Sequence, residues 1–152
     1  MSLPVPYLQQ EQRHTCGIAC LRMAAHYFGG QHTETAVTVS ADISPVLGMT
    51  CRAIASAAIT LGYGASVATG IAWQRVADSL AADRLIIALL DPHVLYLGGT
   101  GLGHFVIIIG LDSNDVIFHD PMVGDNIRIS RARFEAAWTW SNFEGVIIRA
   151  TS

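Results

Sequence analysis

Residues 14–30 of the chain are HTCGIACLRMAAHYFGG, and this stretch decides the fold. Its apolar residues recur at the three- and four-residue spacing of a helix, and the remaining side of that helix is apolar as well. A helix that is apolar nearly all round lies inside a protein. The pair Gly29-Gly30 is typical of the C-terminal end of a helix. The sequence therefore predicts a buried helix that begins at about Cys16.

Helical patterns dominate the chain before Gly64, and strand patterns dominate after it. Two further helices are predicted, at 50–61 and 71–82, whereas 31–49 shows no clear pattern. The predicted strands are 85–90, 105–111, 116–119, 126–129 and 145–149. The first two of these are continuous aliphatic runs, which indicates central strands covered on both faces.

Local signals complete the prediction of the fold class. Ser130 is suited to cap a short helix that runs to Trp138, and Asp91-Pro92 favours a turn. Helices followed by a mostly antiparallel sheet form an α+β fold. The length of 152 residues suits a single domain over 1–152, with a helical half at about 6–63 and a sheet half at about 64–150.

Composition excludes several classes of protein. Apolar residues make up 51% and charged residues 14%, which excludes a disordered chain. The net charge of −3 argues against nucleic acid as a partner. The chain contains no lysine, which excludes Schiff-base chemistry and the phosphate-binding P-loop.

The same composition predicts a cytoplasmic location. The apolar tract 94–111 is interrupted by the Gly-rich stretch 98–101 and by His104, so we expect no insertion into the membrane. The N-terminus lacks the basic region of a secretory signal. Three cysteines without a disulfide-framework spacing favour free thiols in a reducing compartment.

Cys16 is the candidate nucleophile. It lies at the predicted start of the buried helix, where unpaired backbone N–H groups and the positive end of the helix dipole stabilise a thiolate. Most cysteines on an apolar helix are inert packing residues, so the assignment needs a base.

A predicted hairpin supplies that base. The turn formers 112–115 separate two strands, with His104 at the start of one and Asp120 at the end of the other. If the turn is nearly symmetric and centres on a residue, the two side chains face each other directly or diagonally on one face of the sheet. His119 would then point to the opposite face, as a structural residue. A carboxylate that orients an imidazole beside a thiol is the arrangement of a cysteine nucleophile.

Three segments occur in an order that resembles a known family: QEQRHTCGIACLRM at 10–23, GHFV at 103–106 and HDP at 119–121. They are similar to the bacteriocin-processing cysteine peptidases that cleave double-glycine leaders. The resemblance covers roughly 6–149. It implies a papain-like α+β fold with a buried central helix in the N-terminal half and a mostly antiparallel sheet in the C-terminal half.

The resemblance also implies roles for individual residues. In that family the cysteine is the nucleophile, the histidine the base and the aspartate the group that orients the histidine. A glutamine six positions before the cysteine completes the oxyanion hole. The matching residues are Cys16, His104, Asp120 and Gln10, and Gln12 is a nearby rival of less suitable spacing. No cofactor and no metal is implied.

The implied reaction is removal of a leader from a bacteriocin-like precursor peptide through a thioester. Family members are often N-terminal domains of ATP-driven exporters, so a transporter or larger polypeptide is an expected second partner, and the chain resembles a standalone peptidase or an excised domain. The cytoplasmic face of the membrane would then be its location. The chain departs from the family pattern at Thr15 and in the Gly-rich stretch before His104, which bears on substrate choice.

Three other interpretations remain open at this point. The same side chains would serve an acyl transferase or cyclase. A non-catalytic domain that docks leader peptides would share the fold without needing a nucleophile. A zinc site could draw its ligands from Cys16, Cys20, His104 and His119, although the chain lacks a short Cys-Xaa-Xaa-Cys pair.

Overall fold

The computed structural model describes residues 2–40, 49–96 and 103–151. Within these ranges lie six helices and six strands. The helices are α1 (Cys16–Tyr27), α2 (Glu34–Val39), α3 (Cys51–Thr60), α4 (Trp73–Ala81), α5 (Pro92–Tyr96) and α6 (Arg131–Trp138). The strands are β1 (Gly64–Ala68), β2 (Leu85–Leu90), β3 (His104–Leu111), β4 (Asp115–Asp120), β5 (Gly124–Ser130) and β6 (Gly145–Arg149).

The six strands form one antiparallel sheet in the order β1-β6-β2-β3-β4-β5. The central strand β2 is aliphatic along its whole length, β3 is aliphatic from Val106 to Ile109, and all eight residues of β3 are buried. Helices cover both of these strands, as the continuous aliphatic runs predict. The mixed α+β class is therefore confirmed.

Helix α1 lies in the core against β3. Its side chains are buried nearly all round, in agreement with its apolar pattern. It ends at Tyr27 with Phe28 as its C-cap, after which Gly29 adopts a left-handed φ of +94° and Gly30 donates its N–H to the Ala25 carbonyl at 2.9 Å. This is the glycine-closed helix end that the sequence predicts.

The other predicted elements are confirmed with small changes of boundary. Thr50 caps α3 by accepting the Ala53 N–H at 3.1 Å. Ser130 caps α6 by accepting the Arg133 N–H at 3.2 Å, and that helix ends at Trp138. The Gly-rich stretch 98–101 lies outside the described residues.

Three elements differ from the sequence prediction. Helix α2 forms within the segment that showed no clear pattern, with Thr33 as its cap. Strand β1 was not predicted, because GASVA has little alternation, and it pairs only with β6 at the edge of the sheet. The turn predicted at Asp91-Pro92 is wrong: Pro92 begins α5, and the Asp91 carboxylate accepts the His93 N–H at 2.8 Å.

Candidate active site

Cys16 is the first residue of α1, and only 9% of its surface is exposed. The first N–H groups of a helix have no partner inside the helix, so they surround the Cys16 sulfur with donors. Thr15 precedes it and is buried, and its hydroxyl bonds to the carbonyl and the N–H of Gln12, each at 3.0 Å. The turn before the helix is thereby tied to the helix start.

Gly17 allows α1 to approach β3 closely. A Cβ at this position would lie 2.9 Å from the Ile54 side chain and 3.2 Å from the ring of Phe105. Phe105 directly follows His104 on β3. The missing side chain at Gly17 therefore lets the segment that carries Cys16 pack against the strand that carries His104.

His104 and Asp120 form a buried pair. His104 Nε2 lies 2.8 Å from Asp120 Oδ1, and the two residues are 6% and 0% exposed. The thiol of Cys16 lies within hydrogen-bonding reach of the His104 ring. Because Nε2 is bonded to Asp120, Nδ1 is the ring nitrogen left for the sulfur. The structure thus brings all three side chains together.

A β-bulge places His104 and Asp120 on one face of the sheet. Leu111 pairs with Val116, and four residues lie between them, so the centre of the turn falls between two residues. The sequence prediction assumed a turn that centres on a residue, and this assumption is wrong. The register then shifts by one residue between Ile108 and Gly110. The extra residue in β3 brings the His104 and Asp120 side chains back to the same face of the sheet. When the register beyond the bulge is continued to the end of the hairpin, the two residues are diagonal neighbours.

The charges of the three groups support one another. Burial lowers the pKa of His104, but its bonds to Asp120 and Cys16, together with their negative charges, outweigh burial and raise that pKa from 6.5 to about 10. Burial raises the pKa of Asp120, but His104, Tyr96 and the Met122 N–H together hold it below its usual value. The site therefore favours the imidazolium form of His104.

This raised pKa predicts how stability depends on pH. The contribution of His104 is complete below the unfolded-state pKa of about 6.5 and is lost as the pH rises toward the folded-state value of about 10. Urea unfolding should therefore show the advantage of the wild type over His104→Gln shrinking between about pH 6.5 and 10. An advantage that stays constant across this window would contradict the ion pair.

The Asp120 carboxylate has further donors that the sequence did not reveal. The Met122 N–H donates to Oδ1 at 2.9 Å, and the Tyr96 hydroxyl donates to Oδ2. The Tyr7 hydroxyl donates to the backbone carbonyl of Asp120 at 3.0 Å. Neither tyrosine has a spacing to His104 or Asp120 that would single it out, because the contacts depend on how α5 and the N-terminal segment pack.

The remaining cysteines are buried, and the backbone engages both ring nitrogens of His119. Burial, with the charge of Cys16, raises the pKa of Cys20 well above its usual value, and burial, with Glu144, raises that of Cys51 to about 12. His119 Nε2 lies 2.7 Å from the Val5 carbonyl, and its Nδ1 accepts the Asn126 N–H at 3.0 Å. Within the described ranges, no three His, Cys, Asp or Glu side chains are grouped so as to hold a metal ion.

Gln10 lies beside the site but directs its amide elsewhere. Its Nε2 donates to the carbonyls of Gln12 and Arg13, at 2.7 and 3.1 Å, while its Oε1 is buried without a hydrogen-bond partner. The Gln10 N–H donates to the Pro121 carbonyl at 2.9 Å, which ties this segment to the residue after Asp120.

Comparison with protein families identifies the chain. Residues 2–146 match the Peptidase_C39 like family. The chain belongs to this family. As a C39-like peptidase it is a cysteine-type peptidase, as the resemblance implied. Among curated proteins, none matches the chain.

Solved structures of C39 peptidases share the fold. A C39-like peptidase from Bacillus anthracis is 17% identical, with a TM-score of 0.80 over 98% of this chain and 96% of that one. The peptidase domain of Streptococcus ComA, a bifunctional ABC transporter of a quorum-sensing pathway, is 21% identical, with a TM-score of 0.74 over 96% and 100%. A double-glycine motif protease of an AMS/PCAT transporter, in complex with its leader peptide, is 20% identical, with a TM-score of 0.75 over 99% and 94%.

Three exposed apolar residues flank the site of this C39-like peptidase. Met122 and Val123 follow Asp120 in the turn to β5 and are 53% and 59% exposed. Trp140 is half exposed, and its ring lies so close to Gly103, the residue before His104, that a Cβ there would be 2.8 Å away. No described helix has the length and apolar character to cross a membrane.

Proposed function

We propose that this C39-like peptidase removes the leader from a precursor peptide by cutting after a double-glycine-type site. The convergence of the Cys16 thiol, the His104 imidazole and the Asp120 carboxylate at a helix start carries the proposal. The bound leader peptide of the AMS/PCAT protease supports the substrate class, since that protein shares the fold.

The first step forms a thioester. The Cys16 sulfur attacks the carbonyl carbon of the scissile amide, and a tetrahedral oxyanion results. His104 then gives its Nδ1 proton to the departing amine as the carbon–nitrogen bond breaks. Asp120, bonded to Nε2, keeps the ring in the orientation and tautomer that this transfer needs.

The second step releases the leader. His104, now neutral, accepts a proton from a water molecule whose oxygen attacks the thioester carbon. The carbon–sulfur bond breaks, the leader leaves as a carboxylic acid, and the sulfur is again a thiolate beside an imidazolium.

The oxyanion needs hydrogen-bond donors in both steps. The backbone N–H of Cys16, at the first position of α1, supplies one of them. We assign the second donor to the Gln10 side chain. Its Nε2 donates to the carbonyls of Gln12 and Arg13, and one of these two hydrogen bonds must break for Nε2 to donate to the oxyanion.

Replacing Gln10 by alanine tests this assignment. Loss of one oxyanion donor should lower kcat about 10²- to 10³-fold. Gln12→Ala is the matched control, because its hydrogen bonds to Thr15 and Gln10 use the backbone, and it should cleave at nearly the wild-type rate. Alkylation of Cys16 by iodoacetamide passes through no oxyanion and should be unchanged in both variants. Equal kcat values for the two variants would remove Gln10 from the mechanism.

The substrate is expected to meet apolar surface beside the nucleophile. The exposed side chains of Met122 and Val123 are suited to apolar residues of a leader upstream of the cleavage site. We extend the partner assignment to a transporter, because ComA is an ABC transporter and the double-glycine motif protease comes from an AMS/PCAT transporter.

Incubation with a candidate precursor and mass spectrometry of the products tests the function. Hydrolysis predicts two fragments whose masses sum to that of the precursor plus one water. An acyl transferase or cyclase would instead join the leader or core to an added amine or to its own N-terminus. A precursor that is bound but stays intact would indicate a docking domain.

A further inference from the structure

We propose that Tyr96 is a positioning residue, whose hydroxyl holds the Asp120 carboxylate in the orientation in which it binds His104. The inference rests on the proposed function in one respect, namely that the His104–Asp120 pair takes part in peptide cleavage. Its geometry stands independently of any substrate.

The hydrogen bonds of Asp120 give the reason. Oδ1 accepts from His104 Nε2 at 2.8 Å and from the Met122 N–H at 2.9 Å, and Oδ2 accepts from the Tyr96 hydroxyl. Asp120 is fully buried, so a water molecule could replace a missing donor only at a cost in free energy. Without Tyr96, Oδ2 would be unpaired and the carboxylate could rotate away from the plane that suits His104.

Tyr96 itself is held by a short, well-anchored helix. The Asp91 carbonyl accepts the Leu95 N–H at 3.1 Å, and Leu95 is fully buried. The Asp91 N–H donates to the Ala137 carbonyl at 3.1 Å, which joins α5 to α6. The phenol therefore approaches Asp120 from an element that is anchored by α6 and by the buried Leu95.

The effect on the nucleophile can be followed through charge. The imidazolium of His104 stabilises the Cys16 thiolate, and the Asp120 carboxylate stabilises the imidazolium. A hydrogen bond from Tyr96 favours the charged carboxylate, so its loss should let Asp120 take up a proton at higher pH.

Among the residues that the structure describes, four titratable groups face Asp120. They are His104 from β3, Tyr96 from α5, Tyr7 from the N-terminal segment and Cys20 from α1. Burial raises the pKa of Cys20 and Tyr7, so both stay uncharged on the acid side, where the test is made.

The chain offers a matched control in Tyr7. Its hydroxyl also donates to Asp120, but to the backbone carbonyl, at 3.0 Å. Tyr7→Phe and Tyr96→Phe therefore each remove one phenol hydrogen bond to the same residue, and only the second affects the carboxylate.

The experiment is the pH dependence of Cys16 alkylation by iodoacetamide in the full chain, with the modified cysteine located by tandem mass spectrometry. The rate of alkylation falls as the pH is lowered, and this part of the profile is its acid limb. In Tyr96→Phe the acid limb should move up by about one pH unit, so that alkylation at a given pH on that limb is about tenfold slower. In Tyr7→Phe the limb should stay at its wild-type position. An unmoved limb in Tyr96→Phe, or an equal shift in both variants, would overturn the proposal.

A second measurement separates positioning from general weakening of the fold. In an Asp120→Asn background, adding Tyr96→Phe should shift the limb no further, because the group through which Tyr96 acts has lost its charge. A full additional shift there would also overturn the proposal. Alkylation needs no peptide, so the shift of the acid limb does not depend on finding a substrate. If no candidate precursor were cleaved, that would count against the proposed function and would leave the role of Tyr96 unaffected.

Discussion

Replacement of Cys16 by alanine should abolish precursor cleavage and leave the fold intact. The substitution removes the attacking sulfur and keeps the Cys16 backbone N–H, and removal of a peptidase nucleophile costs on the order of 10⁶-fold in kcat. Cleavage followed by mass spectrometry, together with circular dichroism of the variant, measures both parts of the expectation.

Cys20 provides the control for this substitution. It lies one helical turn further along α1, is fully buried, and has a thiol whose pKa is raised by burial. Cys20→Ala should cost on the order of 1 kcal/mol of unfolding free energy and retain cleavage. Cleavage at the wild-type rate by Cys16→Ala would mean that the reaction uses a different nucleophile.

Replacement of His104 by glutamine should have an effect of similar size. The glutamine amide can still donate a hydrogen bond to Asp120, but it cannot take up and return a proton, so both proposed steps lose their acid and base. The expected loss in kcat is on the order of 10⁶-fold, because a nucleophile and its base act as a unit. Alkylation of Cys16 near neutral pH should slow as well, since the imidazolium that supports the thiolate is gone.

His119→Gln is the corresponding control. His119 is also a buried histidine of the same sheet, but both of its ring nitrogens are engaged by the backbone of Val5 and Asn126. This variant should lose stability and keep its cleavage rate at temperatures where it remains folded. If His119→Gln lost cleavage while folded and His104→Gln did not, the base would have been assigned to the wrong strand.

Local pattern predicted much of this fold because its signals lie close together in the chain. The apolar periodicity around Cys16 and the glycine pair after it sufficed to predict α1. The aliphatic runs of β2 and β3 likewise predicted two central strands. Strand β1 and the five-residue α5 were missed, because an edge strand of small residues and a single helical turn have too little periodicity to stand out.

The hairpin shows a correct conclusion reached through a wrong premise. The sequence predicts a turn centred on a residue, whereas the turn has four residues and its centre falls between two of them. Such a turn by itself would set His104 and Asp120 on opposite faces of the sheet. The bulge at Ile109 corrects the parity. A glycine inside a strand often marks a bulge, so Gly110, next to Ile109, is a local signal that the sequence prediction did not use.

The sequence by itself singled out the groups that we propose carry the chemistry, because a thiol at a helix start and a histidine and an aspartate at the open end of one hairpin follow from local periodicity and turn formers. The tertiary structure alone decided how those groups are held. The close approach at Gly17 and the hydrogen bond from Tyr96 to Asp120 both join residues far apart in the chain. Such contacts depend on how separate elements pack, and no local pattern encodes them.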